Sequence, residues 1–458
     1  MKRYFEVISI CIITMQFTSS LAATTVDFKD SNQLNVRNYG AIGDGVSDDS
    51  KAIQKCFDEA KKFSKAKIVF PGGTYLISTP IQYNNQNPFS IEISGGKGES
   101  KLLSKKFLSF FIVRGNTTPS GNVTIHDLSI TGFNPPYSSN HPFYDQPGMY
   151  AYGVALFNLA SANIYNLTIR DIYGEGIYMV NDQRSKAPLS ASARNVKITN
   201  NQILNCWGLL PSLKKGYQDE YGDGIYLSNV QGAQVRNNVV KNDLSVTKQF
   251  GRAGIVLEFN DEECLIDKNE IFGYDRDIHI EGDLGGHIIS NNKLTGSEIG
   301  ILTSLSCKDR ATPNPIVISN NYISNEGIPL HNSLTRVFPM ASRALVSLNG
   351  DWKKARVGST LSGNTIVFDP QSDYTSKVLV STWISFLNLK DNVFSQANIP
   401  DKKLSVVFGY EVGDLINNSF KNVADVRFPG VKVKGDRIVT GKNSGNTKTA
   451  GTISNLKF

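Results

Sequence analysis

Beyond its N-terminal end, the chain has no apolar run that reaches the roughly 18 residues of a transmembrane helix. It also lacks a Gly-Lys-Ser/Thr sequence at the end of a glycine-rich loop, which excludes a nucleotide-binding phosphate loop. Charged residues make up only 19% of its 458 residues and hydrophobic residues 40%, which is typical of a folded globular protein. The sequence therefore predicts a large folded chain with no membrane span and no nucleic-acid partner.

Cysteine is also scarce, and its placement does not suit a metal site. Of the five cysteines, Cys11 lies in the N-terminal apolar run, and the other four are far apart with no C-x-x-C pair. These four are Cys56, Cys206, Cys264 and Cys307. We expect buried small side chains, with one disulfide left open, because zinc sites need closely spaced ligands. No His, Asp and Cys cluster has metal-site spacing, so the sequence predicts neither a metal nor a cofactor.

The N-terminal end has the pattern of a secretory signal peptide. Lys2 and Arg3 precede an apolar run from about Val7 to Phe17, which is followed by small residues up to Ala23. A charged segment, a short apolar segment and a small-residue cleavage site are typical of such a peptide. The sequence therefore predicts a signal peptide over residues 1–23 and a secreted or periplasmic protein.

The chain is moderately basic, with a formal net charge of +7 at pH 7. A basic exported protein suits an acidic polymer, because opposite charges raise the local concentration of a substrate. The alternative interpretation is a solvated surface with a slight excess of lysine.

A short asparagine pattern recurs from residue 196 onwards: an apolar residue, two positions, Asn, one position and a second apolar residue. Its Asn positions are Asn201, Asn238, Asn269, Asn292, Asn321, Asn364, Asn392 and Asn418. Upstream, Leu128 and Leu167 take the place of Asn within the same apolar frame. Asn suits a turn because it tolerates left-handed backbone and hydrogen-bonds its neighbours. If the repeats stack, these side chains are expected to form a ladder.

A second element accompanies the first, in which Gly is followed by alternating apolar residues, as in Gly224-Ile-Tyr-Leu. It recurs at Gly153, Gly176, Gly224, Gly254, Asp277 and Gly300, and its shortest step is 23 residues. Short β-branched strands and Asn-rich turns at this spacing fit one coil of a parallel β-helix. Because a coil cannot bury its apolar face alone, the sequence predicts one all-β array rather than several domains.

Longer steps between repeats mark insertions, at 131–152, 181–194, 207–222, 243–252 and near 331–354. The first of them is rich in aromatic residues and proline. Insertions on consecutive coils should project from neighbouring points and form the wall of a groove. They therefore predict a binding groove beside the coils.

The stretch YGAIGDGVSDDSKAI, residues 39–53, concentrates glycines and acids ahead of an amphipathic segment. Asp48 or Asp49 is expected to be the N-cap of a helix. The segment KIVFPGGTYLI, residues 67–77, then predicts a strand, a tight turn and a second strand. A Ca²⁺ loop is the alternative, but Asp44, Asp48 and Asp49 lack the spacing and the final Glu of an EF-hand.

These two motifs resemble the N-terminal module of the pectate-lyase-like superfamily, which includes polygalacturonases, rhamnogalacturonases, mannuronan epimerases and phage tailspike depolymerases. The resemblance implies an all-β fold, a right-handed parallel β-helix formed by a single chain, with an N-terminal capping helix. We accordingly predict a cap module over 24–78, coils over 79–430 and a C-terminal tail or cap over 431–458. The resemblance also implies a polysaccharide as the partner, and it leaves the oligomeric state open.

Acidic residues stand directly before the glycine of two consecutive repeats, as Glu175 and Asp223. Glycoside hydrolysis needs a proton donor and a carboxylate that acts as base or nucleophile, so this pair predicts a hydrolase. Polygalacturonases carry catalytic acids at a similar position, although their Asn-Thr-Asp, Asp-Asp and Gly-His-Gly motifs are not intact here. Arg252 and His279 lie in neighbouring columns, and we predict these four residues as catalytic.

Five further residues are predicted to bind the substrate: Tyr178, Tyr226, Glu258, Arg276 and Glu281. Strand alternation directs them or their column neighbours outward on coils that stack about 4.8 Å apart. Sugar rings stack on aromatic side chains, and acids and arginines hydrogen-bond hydroxyl groups. The alternatives are tyrosines that only cover the sheet and arginines that only pair with neighbouring acids.

Three other functions stay open. β-Elimination needs a cation for a uronate carboxylate and a base, roles for which Arg252, Arg276 and His279 are candidates. C5-epimerisation is a related option, because GRAGI, residues 251–255, resembles the Arg-His-Gly-Phe motif of mannuronan epimerases. The third is a β-helix that binds glycans without catalysis. The sequence predicts an exported enzyme that cleaves an acidic polysaccharide, with hydrolysis first and elimination second.

Overall fold

The computed structural model describes residues 32–144, 150–182, 189–209, 220–304, 314–329, 344–349, 358–372, 378–384, 386–397, 404–409, 411–423, 425–427, 439, 442–449 and 452–453. The predicted signal peptide and Cys307 lie outside these residues, as do parts of four of the predicted insertions and most of the predicted C-terminal tail. The predicted domain boundaries stay a prediction. No helix within the described ranges is long and apolar enough to cross a membrane.

Successive coils of the chain each add one strand to three long sheets, which we call sheets A, B and C. Neighbouring strands in these sheets pair in parallel, and the neighbour of each strand comes from the adjacent coil. This arrangement is the parallel β-helix that the repeat spacing predicts, with one apolar core along its axis.

Sheet A alternates buried and exposed side chains, because successive residues of a strand point to opposite faces. In β3, Ala66, Ile68 and Phe70 are buried in the core, while the residues between them face outward. The strands of sheet A in the described residues are β1 (Asn32–Asn35), β3 (Lys65–Phe70), β6 (Phe89–Gly95), β9 (Gly121–His126), β12 (Ser161–Tyr165), β16 (Val196–Thr199), β22 (Gln234–Arg236), β25 (Leu265–Asp267), β28 (Ile288–Ser290), β31 (Val317–Ser319), β34 (Thr360–Ser362), β37 (Leu387–Lys390), β40 (Val412–Ile416) and β43 (Asn443–Ser444).

Sheet B is formed by the short strand that follows each turn after sheet A, and most of its strands bury one central apolar residue, such as Ile169 or Ile203. Its described strands are β2 (Asp44–Asp48), β4 (Gly73–Leu76), β7 (Ser100–Leu103), β10 (Ser129–Thr131), β13 (Thr168–Arg170), β17 (Gln202–Leu204), β23 (Val239–Lys241), β26 (Glu270–Phe272), β29 (Lys293–Thr295), β32 (Tyr322–Ser324), β35 (Thr365–Phe368), β38 (Val393–Gln396), β41 (Ser419–Lys421) and β44 (Thr447–Thr449).

Sheet C contains the strands that begin near the repeated glycine, and several of them bury both faces. Its described strands are β5 (Ile81–Asn84), β8 (Phe111–Arg114), β11 (Ala151–Phe157), β14 (Gly174–Val180), β20 (Ile225–Ser228), β24 (Gly251–Glu258), β27 (Tyr274–Glu281), β30 (Ile299–Ser304), β33 (Val346–Asn349), β36 (Val378–Trp383), β39 (Ser405–Phe408), β42 (Asp425–Arg427) and β45 (Thr452–Ile453).

The remaining elements are short. Two small pairs flank the long sheets, β15 (Ala193–Arg194) with β21 (Val230–Gln231) and β18 (Gly208–Leu209) with β19 (Glu220–Tyr221). The helices are α1 (Ser50–Ala60), α2 (Leu244–Thr247) and two 3-10 turns, Val36–Tyr39 and Leu189–Ala191.

Helix α1 packs against β1, β3 and β5, the first strands of sheets A and C, and buries Ile53 and Phe57. Its predicted N-cap position is confirmed at Asp49, but the expected cap hydrogen bond is absent. The Asp49 carboxylate instead accepts the backbone N–H groups of Ile42 at 2.6 Å and Gly43 at 3.2 Å, so it holds the preceding turn. The role of α1 as the cap of the coils stays a prediction.

The predicted asparagine ladder is confirmed and gains a rung at Asn446. Along it, each side-chain amide donates to the Oδ1 of the Asn on the next coil at 2.9–3.1 Å. Its second proton goes to a backbone carbonyl of the preceding coil at 2.7–3.1 Å. The left-handed turn residue is the one before the rung, such as Asn200 or Asn237, and not the ladder Asn itself. The ladder therefore satisfies buried polar groups at the same corner of every coil.

Three of the four predicted structural cysteines can be placed. Cys56, Cys206 and Cys264 are buried and free, as the sequence predicts. Burial raises the pKa of the Cys56 thiol to about 12, which keeps it in the neutral form.

We predict that Asn292→Ala lowers the free energy of unfolding by about 3 kcal/mol, because buried hydrogen-bonding groups lose their partners. The backbone N–H and side-chain amide of Asn269 both donate to Asn292 Oδ1, and Ile266 loses a donor to its carbonyl. Thermal and denaturant unfolding measure the change. The control is Asn446→Ala at the partly buried last rung, where water can replace the lost partner. An equal loss in both variants would contradict the ladder's role.

Candidate functional site

The outward side chains of β14, β20, β24 and β27 form one continuous surface, which we call the sheet C patch. Tyr178, Tyr226, Val256 and His279 occupy the same column on these four neighbouring strands. The isoleucines directly before them in sequence are buried in the core. The strand alternation predicted from the sequence therefore assigns these residues to the correct faces of sheet C.

The two acids predicted as a catalytic pair lie beside each other but are almost inaccessible. Glu175 is 1% exposed and Asp223 is fully buried. Glu175 accepts hydrogen bonds at 2.8 Å from the Tyr150 hydroxyl and at 2.8 Å from the backbone N–H of Asp223. Burial, and next the nearby Asp223 carboxylate, raise the pKa of Glu175 well above its usual value.

Asp223 binds Arg252 with both carboxylate oxygens. Arg252 Nε lies 2.9 Å from Oδ1 and Nη2 lies 2.5 Å from Oδ2, a bidentate pair. The backbone N–H of Ala253 donates to the same Oδ1 at 3.0 Å. Arg252 Nη2 also lies 3.8 Å from Glu258 Oε2. A chain of contacts therefore runs from the buried Glu175 through Asp223 and Arg252 to Glu258.

Aromatic side chains form a stack along the sheet. Tyr152, Tyr178 and Tyr226 lie on successive strands, with ring centroids 4.9 Å apart in each neighbouring pair. The guanidinium of Arg252 lies 5.8 Å from the centroid of the Tyr226 ring. Both faces of Tyr178 and Tyr226 are therefore covered by neighbours, and only ring edges and hydroxyl groups are left for a ligand. This geometry agrees with the interpretation in which the tyrosines cover the sheet.

Glu258 and Glu281 are directly paired in the register of β24 and β27, where each is the last residue of its strand. Their side chains are 13% and 42% exposed. Burial is the main cause that raises the pKa of Glu258, and the Glu281 carboxylate raises it further. Arg252 and the hydrogen bond from Tyr226 lower it, but burial prevails. The pair therefore combines a carboxyl group that favours its neutral form with a more exposed neighbour.

The remaining predicted residues lie next to this pair. His279 Nε2 is 3.5 Å from Glu281 Oε2, and Arg276 Nε is 3.0 Å from Asp275 Oδ2. The structure thus brings all nine predicted site residues onto one part of sheet C. Within the described ranges, no group of three His, Cys, Asp or Glu side chains is arranged to hold a metal ion.

Sequence reasoning missed two residues that complete the site. Tyr152 pairs in register with Glu175 and begins the aromatic stack, and Tyr150 hydrogen-bonds Glu175. Tyr152 stands directly before Gly153, so the repeat places it in the same column as Glu175. Tyr150 falls in an insertion, where no repeat position assigns its direction.

The predicted insertions meet one another where the structure describes them. The backbone N–H of Tyr137 donates to the Thr247 carbonyl at 2.9 Å, and that of Tyr144 donates to Leu209 at 3.1 Å. The centroid of the Tyr144 ring lies 5.0 Å from that of Tyr150, the residue of the same insertion whose hydroxyl donates to Glu175. Segments of three insertions therefore lie on the side of the coils that carries the site.

Three family models match parts of the chain. Residues 33–146 match "Rhamnogalacturonase A/epimerase, pectate lyase-like", and residues 91–243 match a right handed beta helix region. Residues 194–341 match the periplasmic copper-binding protein NosD, although the described residues offer no metal-binding group and we assign no copper site. The second match confirms the right-handed coil that the resemblance implies.

Individual relatives match only short segments. Plasmin and fibronectin-binding protein A of Streptococcus pneumoniae is 44% identical over 52 residues, which are 11% of this chain and 7% of that protein. Mannuronan C5-epimerase AlgE1 of Azotobacter vinelandii is 46% identical over 44 residues, 10% of this chain and 3% of that one. The chain thus spans less than a tenth of the length of these curated relatives.

A solved structure supports the fold over nearly the whole chain. The Dettilon tailspike protein gp208 aligns with a TM-score of 0.54 and 15% identity, covering 92% of this chain and 68% of that one. At this identity the likeness concerns the fold alone. Together with the family matches over residues 33–243, it supports a right-handed parallel β-helix whose N-terminal part matches a pectate-lyase-like family model.

Proposed function

We propose that the protein is an exported enzyme that hydrolyses glycosidic bonds of a polysaccharide at the sheet C patch. The observation that carries the proposal is the register pair Glu258 and Glu281, two carboxyl groups in unequal environments at the accessible edge of the site. Pairs of acids whose environments separate their pKa values are typical of acid and base roles. The export signal rests on the sequence pattern of residues 1–23 alone.

In this reaction, Glu258 is the proton donor. It gives its proton to the glycosidic oxygen while the bond from that oxygen to the anomeric carbon breaks, a role that the raised direction of its pKa favours. Glu281 is the second carboxylate, which either attacks the anomeric carbon or activates water. Adjacent strands lie about 4.8 Å apart, which is near the roughly 5 Å carboxyl separation of retaining enzymes. The register pairing therefore favours retention of configuration.

The buried acids support this pair rather than react. Both oxygens of Glu175 and both oxygens of Asp223 accept hydrogen bonds from the protein, and the two side chains are at most 1% exposed, so a substrate has almost no access to them. Asp223 fixes the guanidinium of Arg252, and Arg252 lies beside Glu258. We therefore propose Glu175, Asp223 and Arg252 as positioning residues, a change from the catalytic roles that the sequence predicts.

Elimination and epimerisation are less well supported at this site. Both need a cation that neutralises a uronate carboxylate, and Arg252 and Arg276 are already engaged with Asp223 and Asp275. His279 lies 3.5 Å from Glu281 and suits an orienting contact to that carboxylate.

We predict that Glu258→Gln and Glu281→Gln each lower kcat at least about 100-fold on the polymer that the wild type cleaves, because acid–base groups contribute this much or more. Reducing-end release measures kcat, and thermal unfolding checks that the fold is intact. The control is Glu270→Gln on sheet B, whose exposed pair with Lys241 contributes little.

Activity within threefold of wild type in both variants would exclude the assignment of the acids. Binding of a polymer without any product would favour the non-catalytic glycan-binding alternative. Absorbance near 235 nm, at which unsaturated uronates absorb, would identify elimination instead.

We predict that Tyr226→Phe moves the alkaline limb of kcat/KM to higher pH. The Tyr226 hydroxyl donates to the Glu258 carboxylate and lowers its pKa, so its removal raises that pKa. Because the proton donor must be protonated, activity is lost as pH rises through the folded pKa of Glu258, and this loss then begins at higher pH. Tyr178→Phe, one coil farther from Glu258, is the control. A limb that stays in place or moves to lower pH in Tyr226→Phe would exclude Glu258 as the donor.

A further inference from the structure

The cations of the sheet C patch restrict the class of polysaccharide that it can bind. The six neighbouring strands from β11 to β30 contain no lysine, and their arginines are Arg252 and Arg276. The net charge of +7 therefore comes from other parts of the chain. Exposed lysines such as Lys51, Lys55 and Lys65 lie in the N-terminal region instead.

Arg252 is already paired with carboxyl groups of the protein itself. Its Nε and Nη2 atoms form the bidentate pair with the buried Asp223, and Nη2 lies 3.8 Å from Glu258. Breaking a buried ion pair leaves an uncompensated charge, which costs several kcal/mol. A uronate carboxylate at this guanidinium would have to share it with Asp223 or displace Asp223, and the described residues of these strands offer only one other arginine, Arg276, which is paired with Asp275.

Arg276 is in a similar position. Its Nε lies 3.0 Å from Asp275 Oδ2, and both side chains are at most 3% exposed. The Arg276 guanidinium is therefore buried, and Asp275 already neutralises its charge before a ligand binds.

Among the described residues of these strands and of the turn that carries Asp223, carboxyl groups outnumber arginines around the place where the sugar would bind. The acids that face the two arginines are Glu175, Asp223, Glu258, Asp275 and Glu281. The most exposed of them, Glu281, presents its carboxylate directly to solvent at the proposed site of cleavage. Like charges at this distance repel, and the low dielectric of a partly buried cleft strengthens the repulsion. A uronate carboxylate next to Glu281 is therefore disfavoured.

We propose that the sugar units beside Glu258 and Glu281 are neutral, so that the substrate is a neutral polysaccharide or a neutral segment of a mixed one. This inference rests on the proposed function, because it concerns the same site, and it departs from the acidic substrate that the net charge of the sequence suggests. Hydroxyl groups of a neutral sugar can donate to the Glu281 carboxylate and to the phenolic oxygen of Tyr226, whose own proton is donated to Glu258. A neutral substrate also disfavours elimination and C5-epimerisation, because both reactions act on uronates.

Matched polymers test the charge of the substrate directly. The full-length protein is given polygalacturonate, alginate and a glucuronate-containing polymer, each beside its carboxyl-reduced neutral form, together with neutral glucans and galactans. Reducing-end release measures cleavage, and affinity electrophoresis in about 0.3 M salt measures binding with long-range attraction screened. The expected result is that every polymer cleaved or retained is neutral, with at least tenfold preference over any native uronate polymer.

A pair of charge variants separates the site from the overall charge of the protein. Glu281→Lys replaces the exposed carboxylate of the patch, and Glu99→Lys makes the same change of net charge at an exposed turn between sheets A and B. We expect Glu281→Lys to bind native uronate polymers about tenfold more tightly than the wild type does, whereas Glu99→Lys changes their binding less than threefold.

The outcomes distinguish the two proposals. Faster cleavage or tighter binding of a native uronate polymer by the wild type overturns the neutral substrate and leaves hydrolysis intact. Equal gains in the two lysine variants also overturn it, since the patch would then have no special role. Binding of a neutral polymer without cleavage overturns hydrolysis and upholds the neutral ligand. Absence of both binding and cleavage across the panel overturns both proposals.

Discussion

The register in which the coils stack is the constraint on which the rest of the molecule depends. Each strand pairs in parallel with the same strand of the next coil, so residues at equivalent positions form columns along the axis. A polar side chain buried in such a column can be satisfied by its own copies, as the asparagine ladder shows from Asn201 to Asn446. A slip of one residue would leave every rung without a partner and turn the apolar rows outward.

The same register builds the candidate site on sheet C. It stacks the rings of Tyr178 and Tyr226, which are paired in register, and it places the carboxyl groups of Glu258 and Glu281 side by side. The site lies where the aromatic column meets the acidic one, with Arg252 packed between them. No single motif of the sequence encodes this junction, because its members come from four coils and are separated by insertions of unequal length.

The fold and the faces of the site residues could be predicted from the sequence, because both follow from periodicity. The columns that contain Tyr178, Tyr226 and His279 needed only the position of the glycine and the alternation of a strand. The burial of the site residues could not be predicted in the same way. Glu175 and Asp223 occupy a promising position directly before glycine, but hydrogen bonds from Tyr150 and Arg252 make them part of the interior. Those two partners come from an insertion and from the next coil, which a pattern within one repeat cannot reveal.

The roles of single residues in the N-terminal motif could not be predicted from the sequence for the same reason. The spacing of apolar residues identifies helix α1 and places Asp49 at its start, yet the Asp49 carboxylate binds the backbone of Ile42 and Gly43. A carboxylate at this position can satisfy the backbone N–H groups of either the helix or the preceding turn. The spacing of the apolar residues does not say which of the two it binds.

The distribution of buried polar groups gives an independent reason to regard sheet C as the functional surface. In the rest of the described chain the buried polar side chains are mainly asparagines and serines, and the ionisable exceptions include Glu92 and the Asp283–His287 pair. Between residues 174 and 281 the buried set includes Glu175, Asp223, Arg276 and His279, whose desolvation is expensive even when each charge is paired. Apolar side chains of similar volume would stabilise these coils at least as well. The concentration of buried ionisable groups on these strands of sheet C is therefore consistent with the proposed role of this surface in ligand chemistry.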